Sequence, residues 1–354
     1  MLRRVTGRLV ESAASAVDLA VRTAVARRVE RKPSATFALD HSLRVQFLER
    51  VTSSYGEAPL SEFFAPGDPI EPLRRHRRDD RGRHVIDLTW HSHYTPHLLD
   101  FGERYLSHTD NQIASARLFL RRTPRPIAIL VHGYLSGSYR VEQRIWPLEA
   151  FDDAGFDVAL FVLPFHAKRA GKSGGAPLFP GSDPRYTNEG FRQAVGDLRG
   201  LVRYLRAQGH PRVGLLGMSL GGYTAALTAT VEPSLDFLVP VVPLACLADF
   251  SREQGLLGER PAEAGELHTH LERVYRPVSP LAAPSLLPPE RVLVVGARAD
   301  RITPIAHARR MATHFSAPLV AFRGGHLLQL GRDQAFTRVF ELLERSTRSR
   351  HAIP

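Results

Sequence analysis

The stretch Gly217-Met218-Ser219-Leu220-Gly221-Gly222 decides the fold, because it joins a buried-strand pattern to a helix-prone run. The run Arg212–Leu216 before it predicts a strand, and Tyr223–Thr230 after it predicts a helix. A serine at such a sharp turn has its hydroxyl pushed into a cleft. Side chains two residues to either side would collide there, so glycine is needed at both places. The motif predicts a nucleophilic Ser219, with a simple glycine-rich turn as the alternative.

A serine hydroxyl needs a positioned base, which we expect late in the chain and after an acid. Asp300 follows an apolar run that predicts a strand, and His326 ends the Gly324-Gly325-His326 loop after the run Leu319–Phe322. The sequence therefore predicts Asp300 as the acid and His326 as the base. Asp249 is the rival acid, whereas His314 lies in a helical pattern and suits the role of base poorly.

Acyl transfer also needs two N–H donors where the tetrahedral oxygen forms. The backbone N–H of Leu220, directly after the nucleophile, is one candidate. The N–H of Tyr134 is the other, because the run Ile129–Val131 ends in His132-Gly133 and a loop follows. His132 is alternatively a residue that holds this loop in place.

The rest of the chain from residue 126 alternates between short apolar runs and helical patterns, which predicts an α/β domain with a mostly parallel sheet and helices on both faces. The predicted strands carry Ser219, Asp300 and His326 at their carboxyl ends, where such sheets place their sites. The predicted strands and helices are Val85–Leu88, Ala116–Leu120, Ile127–Val131, Val158–Leu163, Arg212–Leu216, Phe237–Val242, Arg291–Val295 and Leu319–Phe322, with helices at 191–205, 304–314 and 333–346.

The N-terminal third is less regular. Residues 2–29 have an apolar stripe that includes Ala13, Val17 and Ala20, which predicts a helix docked on the domain surface. The alternative is a peripheral membrane or partner helix, although the stripe has no aromatic residue. Prolines mark loop between residues 59 and 72, and Arg74–Arg83 predicts a solvated face. The full stripe is Leu2, Val5, Leu9, Ala13, Val17, Ala20 and Ala24.

Composition excludes several classes of protein. Apolar residues make up 43% and charged residues 23%, which argues against disorder. The single cysteine, Cys246, excludes an internal disulfide and a cysteine-rich zinc module. The net charge of +11 comes without a nucleic-acid-binding motif, so no nucleic-acid partner is expected. The longest uncharged run, Val213–Val231, contains Gly217, Gly221 and Gly222 and predicts a strand, a turn and a helix rather than a membrane span.

Two further motifs fail on inspection. Ala170–Ser173 imitates the end of a phosphate-binding loop, but the glycine that the pattern needs is His166. His91, His93, His97 and Asp100 resemble a metal cluster without a clear strand or helix to converge them. Neither a metal nor a cofactor is therefore expected. Lys168, Arg169 and Lys172 face either an anionic part of a substrate or solvent.

The motifs His132-Gly133-Tyr134, Gly217–Gly222, Gly296–Asp300 and Gly324–His326 resemble the α/β-hydrolase superfamily over about residues 115–345. Pro164–Arg169 is also similar to its α/β-hydrolase-domain-containing type 18 branch. The resemblance implies the roles given above for Ser219, Asp300, His326, Tyr134 and Leu220. The sequence as a whole is predicted to have three parts: an N-terminal amphipathic helix at 1–32, an extension of uncertain structure at 33–114 and a catalytic domain at 115–350, with a partly helical cap at 249–290.

The expected activity is cleavage of a carboxylic ester or thioester by a cytoplasmic serine hydrolase that needs no cofactor. Apolar residues in the cap segment make an apolar acyl group plausible. Two alternatives stay open: a membrane-associated lipid acyl hydrolase anchored through residues 2–29, and a binding protein that kept the fold but lost turnover. The sequence leaves the substrate's acyl chain, the acyl acceptor and the oligomeric state undetermined.

Overall fold

A computed structural model describes residues 11–20, 40–55, 60–64, 70–80, 82–171 and 176–348. The strands are β1 (Pro72–Asp80), β2 (Arg83–His91), β3 (Ile113–Leu120), β4 (Ile127–Val131), β5 (Asp157–Phe161), β6 (Val213–Met218), β7 (Leu238–Val241), β8 (Val294–Ala297) and β9 (Leu319–Phe322). The helices are α1 (residues 11–20), α2 (His41–Tyr55), α3 (Leu60–Phe63), α4 (Leu99–Leu106), α5 (Tyr139–Ile145), α6 (Leu148–Asp153), α7 (Pro184–Ala207), α8 (Leu220–Ala229), α9 (Leu247–Glu253), α10 (Pro261–Tyr275), α11 (Ile305–His314) and α12 (Arg332–Arg348).

The described strands form one sheet of nine strands in the order β1-β2-β3-β5-β4-β6-β7-β8-β9. The strands from β4 to β9 run parallel, whereas β1, β2 and β3 pair antiparallel. The predicted mixed α/β fold with a mostly parallel sheet is confirmed. Strands β1 and β2 come from the extension at 33–114 and belong to the same sheet as the site-bearing strands.

Helices cover both faces of the sheet. One core packs residues of α2, α7, α8, α10 and α11 against it, and the other packs residues of α5, α6 and α12 on the opposite face. The sequence explains where helix α7 begins, because Pro184 lies in its first turn and the Asp183 carboxylate accepts the N–H of Arg185. The apolar positions predicted for this helix are all buried: Phe191, Ala194, Val195, Leu198, Leu201, Val202 and Leu205.

The segment Arg74–Arg83 differs from expectation in one respect. Its described side chains up to Asp80 are exposed, as a solvated face requires, but the backbone up to Asp80 belongs to the edge strand β1, and the half-buried Arg83 begins its partner β2. Pro72, which was expected to mark loop, starts this strand. An edge strand tolerates both features, because one side of its backbone has no partner strand and charged side chains keep such edges soluble.

Helix α1 docks on the domain through a face that the apolar stripe does not predict. Ala14 and Asp18 are fully buried, whereas Ala13, Val17 and Ala20 of the stripe are exposed. The stripe was therefore wrong about the docked face over residues 11–20. Its other members, Leu2, Val5, Leu9 and Ala24, lie outside the described residues.

The run Val213–Val231 is a buried strand, a turn and a helix, as predicted. In the described part of the chain, no helix is both long and apolar enough to cross a membrane.

Candidate active site

Ser219 sits on the sharp turn between β6 and α8, with φ 57° and ψ −115°. A positive φ is strained for a residue with a side chain, and the turn is held by the Ser219 N–H, which donates to the Val241 carbonyl at 2.9 Å. A Cβ on Gly217 would lie 2.0 Å from the Gly221 carbonyl oxygen, and one on Gly221 would lie 2.1 Å from the Val131 carbonyl oxygen. Only glycine fits at these two positions, which is the collision expected from the sequence.

Asp300 and His326 meet at the same edge of the sheet, in the loops after β8 and β9. The Nδ1 atom of His326 lies 2.8 Å from Oδ2 of Asp300, and both side chains are buried. The other carboxylate oxygen accepts the N–H groups of Ile302 at 2.8 Å and Thr303 at 2.7 Å. These bonds fix the carboxylate, and a proton on Nδ1 leaves Nε2 of His326 as an acceptor.

Thr303 is a member of this cluster that the sequence analysis missed. Its hydroxyl lies 3.0 Å from Asp300 Oδ2, His326 Nδ1 and the Val242 carbonyl oxygen. The Thr303 hydroxyl connects Asp300 and His326 to the end of β7. The spacing Asp-x-x-Thr, typical of a side chain that caps a turn, was the available signal.

The loop after β4 lies beside the nucleophile. A Cβ on Gly133 would be 3.5 Å from the Ser219 Cβ, so the chain that leads to Tyr134 starts next to the serine. Leu220 is the first residue of α8, where an N–H group has no intrahelical acceptor. Leu220 thus adjoins Ser219 in the sequence, and Tyr134 follows Gly133, which approaches Ser219 in space; the role of both N–H groups stays a prediction.

His132 holds this loop through both ring nitrogens. Its Nε2 accepts the Leu163 N–H at 3.0 Å, so Nδ1 carries the proton and donates to the Gly133 carbonyl at 2.7 Å. Burial lowers the pKa of His132 to about 4, because the interior disfavours the charged imidazolium. The position of His132 matches the alternative role considered for it, a residue that holds the loop.

Glu142 of α5 is a second residue that the sequence analysis missed. Its buried carboxylate accepts the Gly137 N–H at 3.0 Å and the Trp146 Nε1–H at 3.1 Å, and it accepts the hydroxyl of Ser136. The loop that follows Tyr134 is therefore fixed at its far end. No local motif marks this glutamate.

The rival residues are engaged elsewhere. Asp249 lies on α9, where it bonds His268 Nε2 at 2.7 Å and pairs with Arg310. His314 lies at the end of α11 and donates from Nε2 to the Ala283 carbonyl at 2.8 Å. Neither contact involves Ser219, Asp300 or His326.

Two of the three basic residues that were expected to face a substrate or solvent make contacts within the chain. Arg169 is fully buried, with Nη1 2.9 Å from Asp197 Oδ2 and Nη2 donating to the Asn111 carbonyl at 2.8 Å. It cannot face either a substrate or solvent, so that expectation was wrong for Arg169. The ammonium of Lys168 stacks over the Tyr139 ring at 4.6 Å. Lys172 lies outside the described residues.

Comparisons with known proteins support the fold and leave the activity open. No protein-family model matches the chain. Uncharacterized proteins of two Mycobacterium tuberculosis strains are 33% identical to it over 276 residues, which span 75% of this chain and 65% of theirs.

Among solved structures, two esterases share the architecture. Acetyl xylan esterase 1 from Thermoanaerobacterium sp. superposes with a TM-score of 0.52 at 18% identity, over 84% of this chain and 92% of that one. Acetyl xylan esterase from Paenibacillus sp. gives a TM-score of 0.53 at 16% identity, over 88% and 96%. At these identities the likeness speaks for the fold alone. The resemblance to the α/β-hydrolase superfamily that the sequence shows is confirmed at the level of the fold. Membership of the type 18 branch stays a prediction.

Proposed function

The chain has the α/β-hydrolase fold, and from this premise we propose that it is a serine hydrolase that cleaves a carboxylic ester or thioester. The observation that carries the proposal is the buried Asp300–His326 pair, which lies at the same sheet edge as the strained Ser219 turn. A carboxylate that accepts two backbone N–H groups also occurs in ordinary turns, but this one bonds a buried imidazole as well. It therefore orients an imidazole for proton transfer.

The first step is attack of the Ser219 hydroxyl oxygen on the carbonyl carbon of the substrate. His326 takes the hydroxyl proton at Nε2, and Asp300 stabilises the resulting imidazolium without taking the proton itself. The carbonyl oxygen becomes an anion in this step. The N–H groups of Tyr134 and Leu220 stabilise that anion by hydrogen bonds.

The second step releases the acyl group. The carbonyl reforms and the bond to the alcohol or thiol breaks, with the leaving group receiving the proton from His326. Water then attacks the acyl-Ser219 ester and gives its proton to Nε2 of His326. The acid leaves and the proton returns to the serine oxygen.

The apolar residues of segment 249–290 give little information about the acyl group. Leu257, Leu271 and Tyr275 belong to the core beneath the helices, while Leu286 is exposed. The segment is partly helical, through α9 and α10, as expected for a cap. Its side chains stabilise the domain, so the chain length of the substrate has to be determined by measurement.

The experiment is labelling of the full chain with a fluorophosphonate probe, which reacts with an activated serine. We expect labelling of the parent and none of Ser219→Ala or His326→Ala. Ser53→Ala, an exposed helix position, and His314→Ala serve as matched controls and should be labelled like the parent. A panel of esters and thioesters then defines the substrate class.

The outcomes separate the two main hypotheses. Loss of labelling in both site variants, with labelled controls, supports catalysis by Ser219. A folded parent that is not labelled would favour the binding protein that lost turnover. Labelling that persists in Ser219→Ala would refute the assigned nucleophile.

A second candidate is hydrolysis of a lipid ester at a membrane surface. It is favoured by an exposed apolar side chain on α1, since Leu19 is 50% exposed. The test is flotation of the full chain with anionic vesicles. We expect Leu19→Asp to reduce flotation and Ser12→Asp, on the same helix, to leave it unchanged. A parent chain that does not float excludes this candidate.

A further inference from the structure

Helix α1 brings a buried carboxylate to the two loops that carry the acid and the base. Asp18 is 0% exposed, and its Oδ2 accepts the backbone N–H of His326 at 2.7 Å. Oδ1 accepts the N–H of Leu327 at 3.0 Å, and Oδ2 also accepts the N–H of Arg301 at 3.2 Å. One carboxylate therefore links the residue after Asp300 to His326 itself.

A second contact between α1 and these loops comes from Ser15. Its hydroxyl donates to the Ala299 carbonyl at 3.0 Å, directly before Asp300, and accepts from Arg301 Nε at 3.3 Å. Helix α1 packs tightly against the loop that carries His326. A Cβ on Gly325 would lie 2.6 Å from Asp18 Oδ2 and 3.1 Å from the Ala14 carbonyl oxygen.

These contacts are unlike ordinary helix docking, which buries apolar side chains. A buried carboxylate is costly unless its oxygens accept hydrogen bonds, and bonds to a charged acceptor are the strong ones. Here all three N–H donors belong to the two loops that carry the acid and the base. The charge thus holds three backbone N–H groups of these loops, over 308 residues of separation between Asp18 and His326.

We propose that Asp18 is a positioning residue for the Asp300–His326 pair, so that α1 completes the active site from outside the catalytic domain. The inference rests on the proposed function. Asp18 does not touch substrate. It fixes the backbone at Arg301, His326 and Leu327, so that the imidazole keeps its contact with Asp300 and, in the proposed mechanism, its orientation toward Ser219.

The experiment compares Asp18→Asn, Asp18→Ala and Val17→Ala in the full chain. Asparagine has the same shape as aspartate, but an NH₂ group replaces one carboxylate oxygen and cannot accept the loop N–H groups that this oxygen binds. Val17 is the exposed neighbour on the same helix. We expect the rate of fluorophosphonate labelling to fall about 10-fold to 100-fold in the Asp18 variants, since small misplacements of catalytic groups cost this much. With an ester substrate, kcat should fall while KM stays within about twofold. Val17→Ala should match the parent.

A second readout does not depend on turnover. The proton that His326 Nδ1 shares with Asp300 should give a low-field proton resonance, assigned by its absence in Asp300→Asn. We expect this resonance to shift or broaden in Asp18→Asn and to stay unchanged in Val17→Ala. If the parent is not labelled, the proposed function fails, and the resonance still decides whether Asp18 holds the pair.

Folded Asp18 variants with the parent's labelling rate and an unchanged resonance would overturn the inference. Near-UV circular dichroism checks the fold of each variant. If both Asp18 variants fail to fold, Ser15→Ala decides, because it removes only the bond to the Ala299 carbonyl and the one from Arg301 Nε. We then expect labelling to fall about threefold, in line with the loss of these bonds, and an unchanged rate would overturn the inference.

Discussion

Lowering the pH from 7 to 5 is expected to destabilise the fold, because two buried histidines, His132 and His166, stay neutral in the folded chain and take up protons when the chain unfolds. Burial lowers the pKa of His132 to about 4. It lowers the pKa of His166 to about 3, and the nearby His132 contributes to this shift. Both pKa values lie below the 6.5 expected for the unfolded chain. Stability is therefore full above pH 6.5 and is lost as the pH falls toward the folded pKa values, because the unfolded chain binds more protons there.

The magnitude follows from the two pKa values of each histidine. A pKa of about 6.5 unfolded and about 4 folded gives a loss of about 2 kcal/mol between pH 7 and pH 5. The same arithmetic for His166 gives about 2 kcal/mol, and so about 4 kcal/mol for the pair. Protonation of His132 in the folded chain, which sets in only near its pKa of about 4, removes the acceptor for the Leu163 N–H and loosens the loop that leads to Tyr134 at that lower pH.

The assay is urea unfolding of the parent and of His132→Gln at pH 7 and at pH 5. Glutamine does not titrate, and its carbonyl oxygen reaches the position of Nε2, where it accepts the Leu163 N–H. We expect the difference in unfolding free energy between the two pH values to shrink by about 2 kcal/mol in this variant. His76→Gln, at an exposed position on β1, is the control and should leave the difference as in the parent.

The reasoning is refuted if His132→Gln shows the same pH dependence as the parent while folding normally at pH 7. That result would mean that His132 either stays neutral in both states or is charged in both. It would also contradict the expectation that acid pH loosens the loop after β4.

Two other predictions concern the acid and the turn. Asp300→Asn should lower fluorophosphonate labelling about 1,000-fold or more, because asparagine stabilises the wrong tautomer of His326, whereas Asp249→Asn should stay within about threefold of the parent. The opposite ranking of the two variants would assign the acid to Asp249. Gly221→Ala should abolish the native fold or lower its melting temperature strongly, since a Cβ there meets the Val131 carbonyl oxygen at 2.1 Å. Gly265→Ala on α10, where a Cβ meets nothing within 4 Å, should instead stabilise the chain by about 0.5–1 kcal/mol. A stable Gly221→Ala protein, measured by thermal unfolding, would contradict the steric argument.

The sequence by itself determined the features that depend on neighbours along the chain. Short apolar runs identified the strands from β2 to β9, and helical periodicity identified α7, because burial repeats at a fixed spacing in each element. The need for glycine on both sides of Ser219 could also be predicted from the sequence. The collision that excludes a side chain at Gly217 arises within the turn itself. The edge strand β1 was missed because its exposed arginines resemble a loop, and only its pairing with β2 makes it a strand.

Only the tertiary structure decided which distant groups act together. The buried face of α1 carries Asp18 rather than the apolar stripe, because its partners are backbone N–H groups near the other end of the chain. Glu142 and Arg169 are likewise explained by contacts that folding creates with backbone N–H, carbonyl or carboxylate groups. Such polar contacts leave no periodic trace in the sequence, since a single charged residue looks the same whether it is solvated or buried against a loop hundreds of residues away.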